Sequence, residues 1–105
     1  MDAKATIAAL AALAQESRLA VFRLLVQTGP AGMAASKIAQ HIAVTPSALS
    51  FHMKELAYAG LVSARHEGRF VIYSANFETM NDLIGYLAEN CCGGNLCASA
   101  SVLSH

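Results

Sequence analysis

Three cysteines stand close together in the stretch "NCCGGNLCAS", at Cys91, Cys92 and Cys97, and no other position of the 105-residue chain holds one. Thiolates are soft ligands and select soft ions. Trivalent arsenic or antimony takes three of them in a pyramid, with a lone pair at the apex. Structural zinc takes four ligands, and the tail offers only His105 as a fourth. Cadmium, lead and copper(I) also accept three sulfurs. Two thiols can instead oxidise to a disulfide, which is strained between neighbours. Adjacent side chains diverge on a helix, so Cys91 and Cys92 converge only if the chain departs from helical geometry. Gly93 and Gly94 reach the backbone angles that allow a reversal, and the reversal carries Cys97 back toward the pair. A single cysteine is commonly a small buried hydrophobe, but three in one short segment form a ligand pattern. The expectation is a thiol-based sensor, with trivalent arsenic (arsenite) first, antimonite beside it and zinc behind.

A second set of residues suits contact with DNA. Ser47, Ser50, Phe51, Lys54 and Tyr58 lie opposite an apolar stripe of Leu49, Met53, Leu56 and Ala57 in "TPSALSFHMKELAYAG". Hydroxyls and a lysine can meet phosphates or base edges. Further along, Arg65, His66 and Arg69 surround Gly68. Arginines on a thin β-ribbon can reach the backbone or a minor groove. The DNA-contact candidates are Lys37, Thr45, Ser47, Ser50, His52, Lys54, Arg65 and Arg69. No oxyanion device or third partner accompanies the serines near His52, so none of these is expected to act as a catalytic base or nucleophile.

The elements that must carry these residues follow from periodicity. "ATIAALAALA" places Ile7, Leu10, Ala11 and Ala14 at helical spacing with alanines on the other face. After a break at "QES", Ser17 is the expected cap of a second helix whose core positions are Leu19, Phe22, Leu25 and Val26. "GPAG" stops it. "AASKIAQHI" is a short third helix, with Ile38 and Ile42 one turn apart. A gap of about four residues, "AVTP", leads to the fourth, where Thr45 caps and Pro46 suits the first helical position. Gly60 ends it. "LVSARHEGRFVIYSA" then turns β-branched and aromatic around Glu67-Gly68, the mark of a hairpin. A last helix begins at Asn76 as cap, with Phe77, Met80, Ile84 and Leu87 on its apolar face. The fold class is mainly α with a β-hairpin wing, in the order α-α-α-α-β-β-α. A short connection between two helices followed by a basic hairpin is the layout of a winged helix-turn-helix.

Composition bounds the rest. Hydrophobic residues make up 55% of the chain and charged ones 13%, an excess that leaves apolar surface for a partner, most simply a second copy. Net charge is zero with histidines neutral, so DNA binding requires local clustering of cations. Asp2, Glu78, Asp82 and Glu89 fall in the terminal helices, away from the basic set. No stretch approaches a membrane span. "MDAK" lacks the positive region of a signal peptide, and an odd cysteine count suits a reducing compartment. A cytoplasmic protein is expected.

Three segments carry a family resemblance over about residues 10–90. "ESRLAVFRLL" resembles the second helix of ArsR/SmtB-type repressors. "SALSFHMKELAYAGLV" resembles their recognition helix, with a Ser-x-His-hydrophobic step at Ser50, His52 and Met53. "HEGRFVIYS" is similar to their wing. The resemblance implies a winged-helix homodimer paired through its first and last helices. It also implies a double-stranded operator with two-fold symmetry, released when an inducer binds. Arsenic-responsive members with cysteines displaced to the C-terminal helix and tail have a similar tail. The chain departs from other members in three places. Phe51 stands where a polar or basic residue is frequent. "AASKIAQHI" lacks the thiol pair that many arsenic-responsive members carry there. "NFETMNDLIGYLAEN" lacks the histidine of zinc-sensing members.

The expected protein is a DNA-binding domain over residues 1–90 with a cysteine tail over 91–105. It is a repressor that leaves DNA when arsenic binds the tail. A divalent soft metal, a methylated arsenical or thiol oxidation are the alternative signals. A purely structural dimerisation module and a small thiol oxidoreductase are rivals. The oxidoreductase lacks a cation after Arg69 to activate a thiolate.

Overall fold

The computed structural model describes residues 1–94. In chain order it contains α1 (Ala3–Leu13), α2 (Glu16–Thr28), β1 (Met33–Ala34), α3 (Ala35–Ile42), α4 (Pro46–Tyr58), β2 (Val62–Glu67), β3 (Phe70–Ala75), α5 (Phe77–Leu87) and a 3-10 turn at Cys91–Gly94. Helix α2 is central and packs on α1, α3, α4 and β3. Helices α3 and α4 with the β2–β3 hairpin form a winged helix-turn-helix, as the residue pattern predicted. Among the described residues no single helix is long and apolar enough to cross a membrane; α1 and α2 have the length only together, across a 102° bend.

Most helix boundaries follow from local chemistry. Asp2 caps α1, its Oδ1 accepting from Ala5 N at 2.7 Å. Thr45 Oγ1 accepts from Ala48 N at 3.2 Å, and Pro46 opens α4. Gly60, in the left-handed region with φ 78°, follows the last turn. The cap of α2 is Gln15 rather than Ser17: the Gln15 side chain accepts from Arg18 N at 2.8 Å. Its longer arm reaches back from outside the first turn to a donor that a helix start leaves unsatisfied. Asn76 stands at the cap position of α5 but makes no capping bond there. Its side chain donates to Gly60 O at 2.7 Å and accepts from Ser63 Oγ at 2.6 Å. It thereby ties the end of α4 to the hairpin and the start of α5.

The core also differs in part from the periodic reading. Val21, Leu25, Ile38, Met53, Leu56 and Leu61 are fully buried. Leu19 is 45% exposed and Val21 takes the inward place, because α2 is wrapped by α1, α3 and α4 and its inner stripe is Val21-Phe22-Leu25. Helix α1 turns Thr6, Ala9 and Ala12 inward and leaves Ile7 and Leu10 outside. The small side chains on this face let α1 lie close against α2. On α4, Ala57 is exposed, while Leu49, Met53 and Leu56 face in. Helix α5 buries Leu83 and leaves Ile84 and Leu87 exposed.

A three-stranded antiparallel sheet in the order β1-β3-β2 replaces the bare hairpin. β1 is two residues long, pairing Met33 with Tyr73 and Ala34 with Ile72. A segment this short has no period to detect. The chain's approach to it depends on Gly32, at φ 73°, where a Cβ would collide with the Tyr73 carbonyl. In the hairpin, Glu67 pairs with Phe70, so Gly68 and Arg69 are the turn.

Asn76→Ala is expected to lower stability by about 1–3 kcal/mol, because the Gly60 carbonyl is left without its donor in a half-buried place. Urea denaturation at fixed protein concentration checks this, with Lys54→Ala as a neutral reference.

Candidate nucleic-acid interface and thiol turn

The helix-turn-helix connection is three residues, numbers 43–45, one shorter than the sequence spacing suggested because Pro46 belongs to α4. Ala43 takes a left-handed conformation, φ 60°, and this reverses the chain between α3 and α4. On α4, Ser47, Ser50, Phe51, Lys54 and Tyr58 are exposed, and Lys37 is exposed on α3. Thr45 is exposed too, but its hydroxyl caps Ala48 and lies 3.4 Å from Ser47 Oγ. Capping uses a lone pair of this oxygen, so its proton can still be donated to a phosphate.

His52 is turned away from this face. It is half-buried, and its Nδ1 lies 3.4 Å from the Arg18 guanidinium. Arg18 Nε donates to Ala12 O at 2.7 Å, so one arginine covers an open carbonyl at the end of α1 and touches the recognition helix. The sequence pattern alone gave Arg18 no role. The signal for one was a cation just beyond a helix end, where unsatisfied carbonyls attract donors.

The wing separates its two arginines. Arg65 Nε bonds Glu67 Oε2 at 2.7 Å, and its terminal nitrogen donates to Ala31 O at 2.7 Å. Both members of the pair are well exposed, so the bridge adds little stability. Its effect is on charge and direction, since it neutralises Arg65 and pins it to the loop after α2. Arg69 sits at the exposed turn and makes no ion pair among the described residues. His66 is exposed, on the opposite face of β2 from Arg65 and Glu67. The basic tip predicted from sequence is thus carried by Arg69.

The first two cysteines lie beyond α5 rather than at its end. The helix stops at Leu87, and Cys91 N bonds Ala88 O at 2.9 Å. Asn90 and Cys92 both have φ 57°, and Gly93 has φ 64°. With this reversal, Cys91 Sγ and Cys92 Sγ lie 3.6 Å apart, while the expected return of Cys97 to the pair falls outside the described residues. Two sulfurs bound to one tetrahedral centre by bonds of about 2.3 Å stand about 3.8 Å apart, so the pair can serve a single soft ion. Cys91 is half-buried and Cys92 exposed. Cys97 and His105 lie outside the described residues, within which no cluster of three His, Cys, Asp or Glu side chains occurs. A groove of about 610 Å³ between α3 and α4 is lined by uncharged residues including Leu49, Met53 and Tyr73, without thiol or imidazole, and suits no metal.

Comparison with known proteins agrees with this geometry. A helix-turn-helix domain family matches residues 13–64. The nodulation protein NolR of Rhizobium meliloti is 30% identical over 88 residues, covering 84% of this chain and 70% of that protein. An ArsR-like transcriptional regulator from Rhodococcus sp. RHA1 superposes with a TM-score of 0.70 at 28% identity, covering 80% of this chain and 76% of that one. NolR from Sinorhizobium fredii superposes with a TM-score of 0.67 at 29% identity, covering 85% and 86%. With its helix-turn-helix, its wing and these relatives, the chain belongs to the ArsR/SmtB family of winged-helix transcriptional regulators.

Proposed function

We propose that the chain is a cytoplasmic, homodimeric repressor that leaves a two-fold symmetric operator when trivalent arsenic binds Cys91, Cys92 and Cys97. The observation that carries the inducer reading is the 3.6 Å separation of the Cys91 and Cys92 sulfurs. A left-handed residue is costly outside glycine and asparagine, about 1–2 kcal/mol, and Cys92 adopts it. The turn thus holds two thiols on one side of the chain against the preference of its backbone. Cys97 is the proposed third ligand, five residues on. Antimonite shares this chemistry, and zinc would need a fourth ligand. Because two sulfurs already converge, a two-thiolate signal such as a methylated arsenical is the second reading.

Dimerisation through α1 and α5 accounts for their exposed apolar residues. Ile7 is 66% exposed and Leu87 60%, with Leu10 and Ile84 also outside, on two helices that touch each other. The cysteine turn leaves α5 directly. A ligand gathered there need only favour the dimer geometry that fits the operator less well, and its differential affinity sets the size of the effect. Residues 1–90 then read DNA and dimerise, while residues 91–105 sense. The chain acts by binding rather than catalysis.

Arsenite is expected to weaken operator binding by the purified protein in a gel-shift titration, and Cys91→Ser or Cys92→Ser to remove the response. Cys97→Ser is expected to remove it as well; a full arsenite response in that variant assigns sensing to the two-thiolate pair.

The wing gives an independent test. Arg69→Ala is expected to weaken DNA binding and to lower the slope of log K against log salt by about 0.9 for each phosphate that is no longer neutralised. Arg65→Ala is expected to change that slope less, because Glu67 already neutralises Arg65. Equal slopes for wild type and Arg69→Ala would remove the wing tip from the interface.

A further inference from the structure

Phe51 is 56% exposed at the outward centre of α4. It follows Ser47 by one turn and precedes Tyr58 by two, so the three share a stripe with Lys54 beside them. This stripe lies opposite the buried Leu49, Met53 and Leu56. In a helix-turn-helix it is the side that enters the major groove. A phenyl ring has no hydrogen-bonding atom, so it can neither accept from nor donate to a base edge. In the major groove the one apolar group on an unmodified base pair is the C5-methyl of thymine, and apolar side chains read it by contact.

The ring is also restrained. Its edge-to-face partner is His52, with ring centroids 5.9 Å apart and planes at 60°. His52 in turn lies against Arg18, which is fixed to Ala12 O. A side chain exposed this far would ordinarily sample several rotamers. The His52 contact limits that freedom and lowers the entropy cost when the ring meets a partner.

From the exposed ring, its place on the groove-facing stripe and its restraint by His52, we infer that Phe51 is a specificity-determining residue that reads a thymine methyl in each operator half-site. The inference rests on the DNA-binding reading of α4. It assigns apolar readout to a position from which polar readout would otherwise be expected, and it leaves Ser47, Ser50 and Lys54 to hydrogen bonds and phosphates.

The operator is first selected from a random duplex pool with the full chain. Each thymine of a half-site is then replaced by deoxyuridine, which removes the methyl and leaves every hydrogen-bonding group in place. Affinities are measured by fluorescence anisotropy at constant salt. One thymine per half-site is expected to bind about fourfold more weakly without its methyl, the effect of one buried methyl-sized group. Phe51→Ala is expected to bind the thymine operator more weakly and to be indifferent to the swap at that position. Phe51→Leu is expected to retain part of the discrimination. Operator binding with no deoxyuridine effect at any thymine overturns the inference alone, as does an undiminished effect in Phe51→Ala. A change in oligomeric state in Phe51→Ala, with thymine discrimination intact, assigns the ring to a protein contact instead. Selection of no preferred sequence overturns both this inference and the DNA-binding reading.

Discussion

The interlock of Leu25 on α2, Ile38 on α3, and Met53 and Leu56 on α4 is the constraint on which the rest depends. These side chains are at most 1% exposed and meet in one cluster with Leu61 at the start of the hairpin. Each such burial is worth about 1.5–3 kcal/mol. Their close packing also fixes how α4 sits on α3, because a packed interior resists small shifts. The groups offered to DNA from α4 are mounted on the far side of this cluster. The residues that fill the core therefore decide the direction in which Ser47, Phe51 and Lys54 face.

Electrostatics is the second constraint, and it is a sparse one. The chain has seven cations and seven acids, so no broad positive field covers it. Arg65 is drawn to Glu67 and Ala31, and Arg18 is folded between α1 and α4. Lys37, Lys54 and Arg69 remain exposed around the helix-turn-helix and wing tip. A binder with so few phosphate partners gains less from counterion release than a basic one. Contacts that do not depend on salt must carry a larger share of its affinity.

The thiol turn stands apart from both constraints. Its geometry comes from local backbone angles at Asn90, Cys92 and Gly93 rather than from burial in the core. Under the proposed sensing role, a change of state in this turn would undo little packing. Its link to the DNA-facing side runs through α5, which packs against α1, and α1 is joined to the recognition helix by Arg18.

The helices, the hairpin, the Thr45 cap, the Gly60 stop and the grouping of Cys91 with Cys92 were all legible in the sequence. Each is set by residues within about one turn of one another, through caps, periodicity and turn chemistry. The two-residue strand β1 was not legible, because its pairing with Tyr73 and Ile72 spans some forty positions. The inward faces of α2 and α5 were legible only in part: Phe22, Leu25, Phe77 and Met80 were, whereas Val21, Leu83 and the small-residue face of α1 depend on what each helix meets. The same holds for the candidate site. Sequence placed His52 and Arg65 with the DNA contacts; His52 turns to Arg18, and Arg65, though still exposed, is tethered to Ala31, each across 34 residues of chain. Local propensity carries no information about partners that distant. Only the packed core brings them within hydrogen-bonding reach, and so only the tertiary structure decides which of the predicted cations and polar groups still face outward.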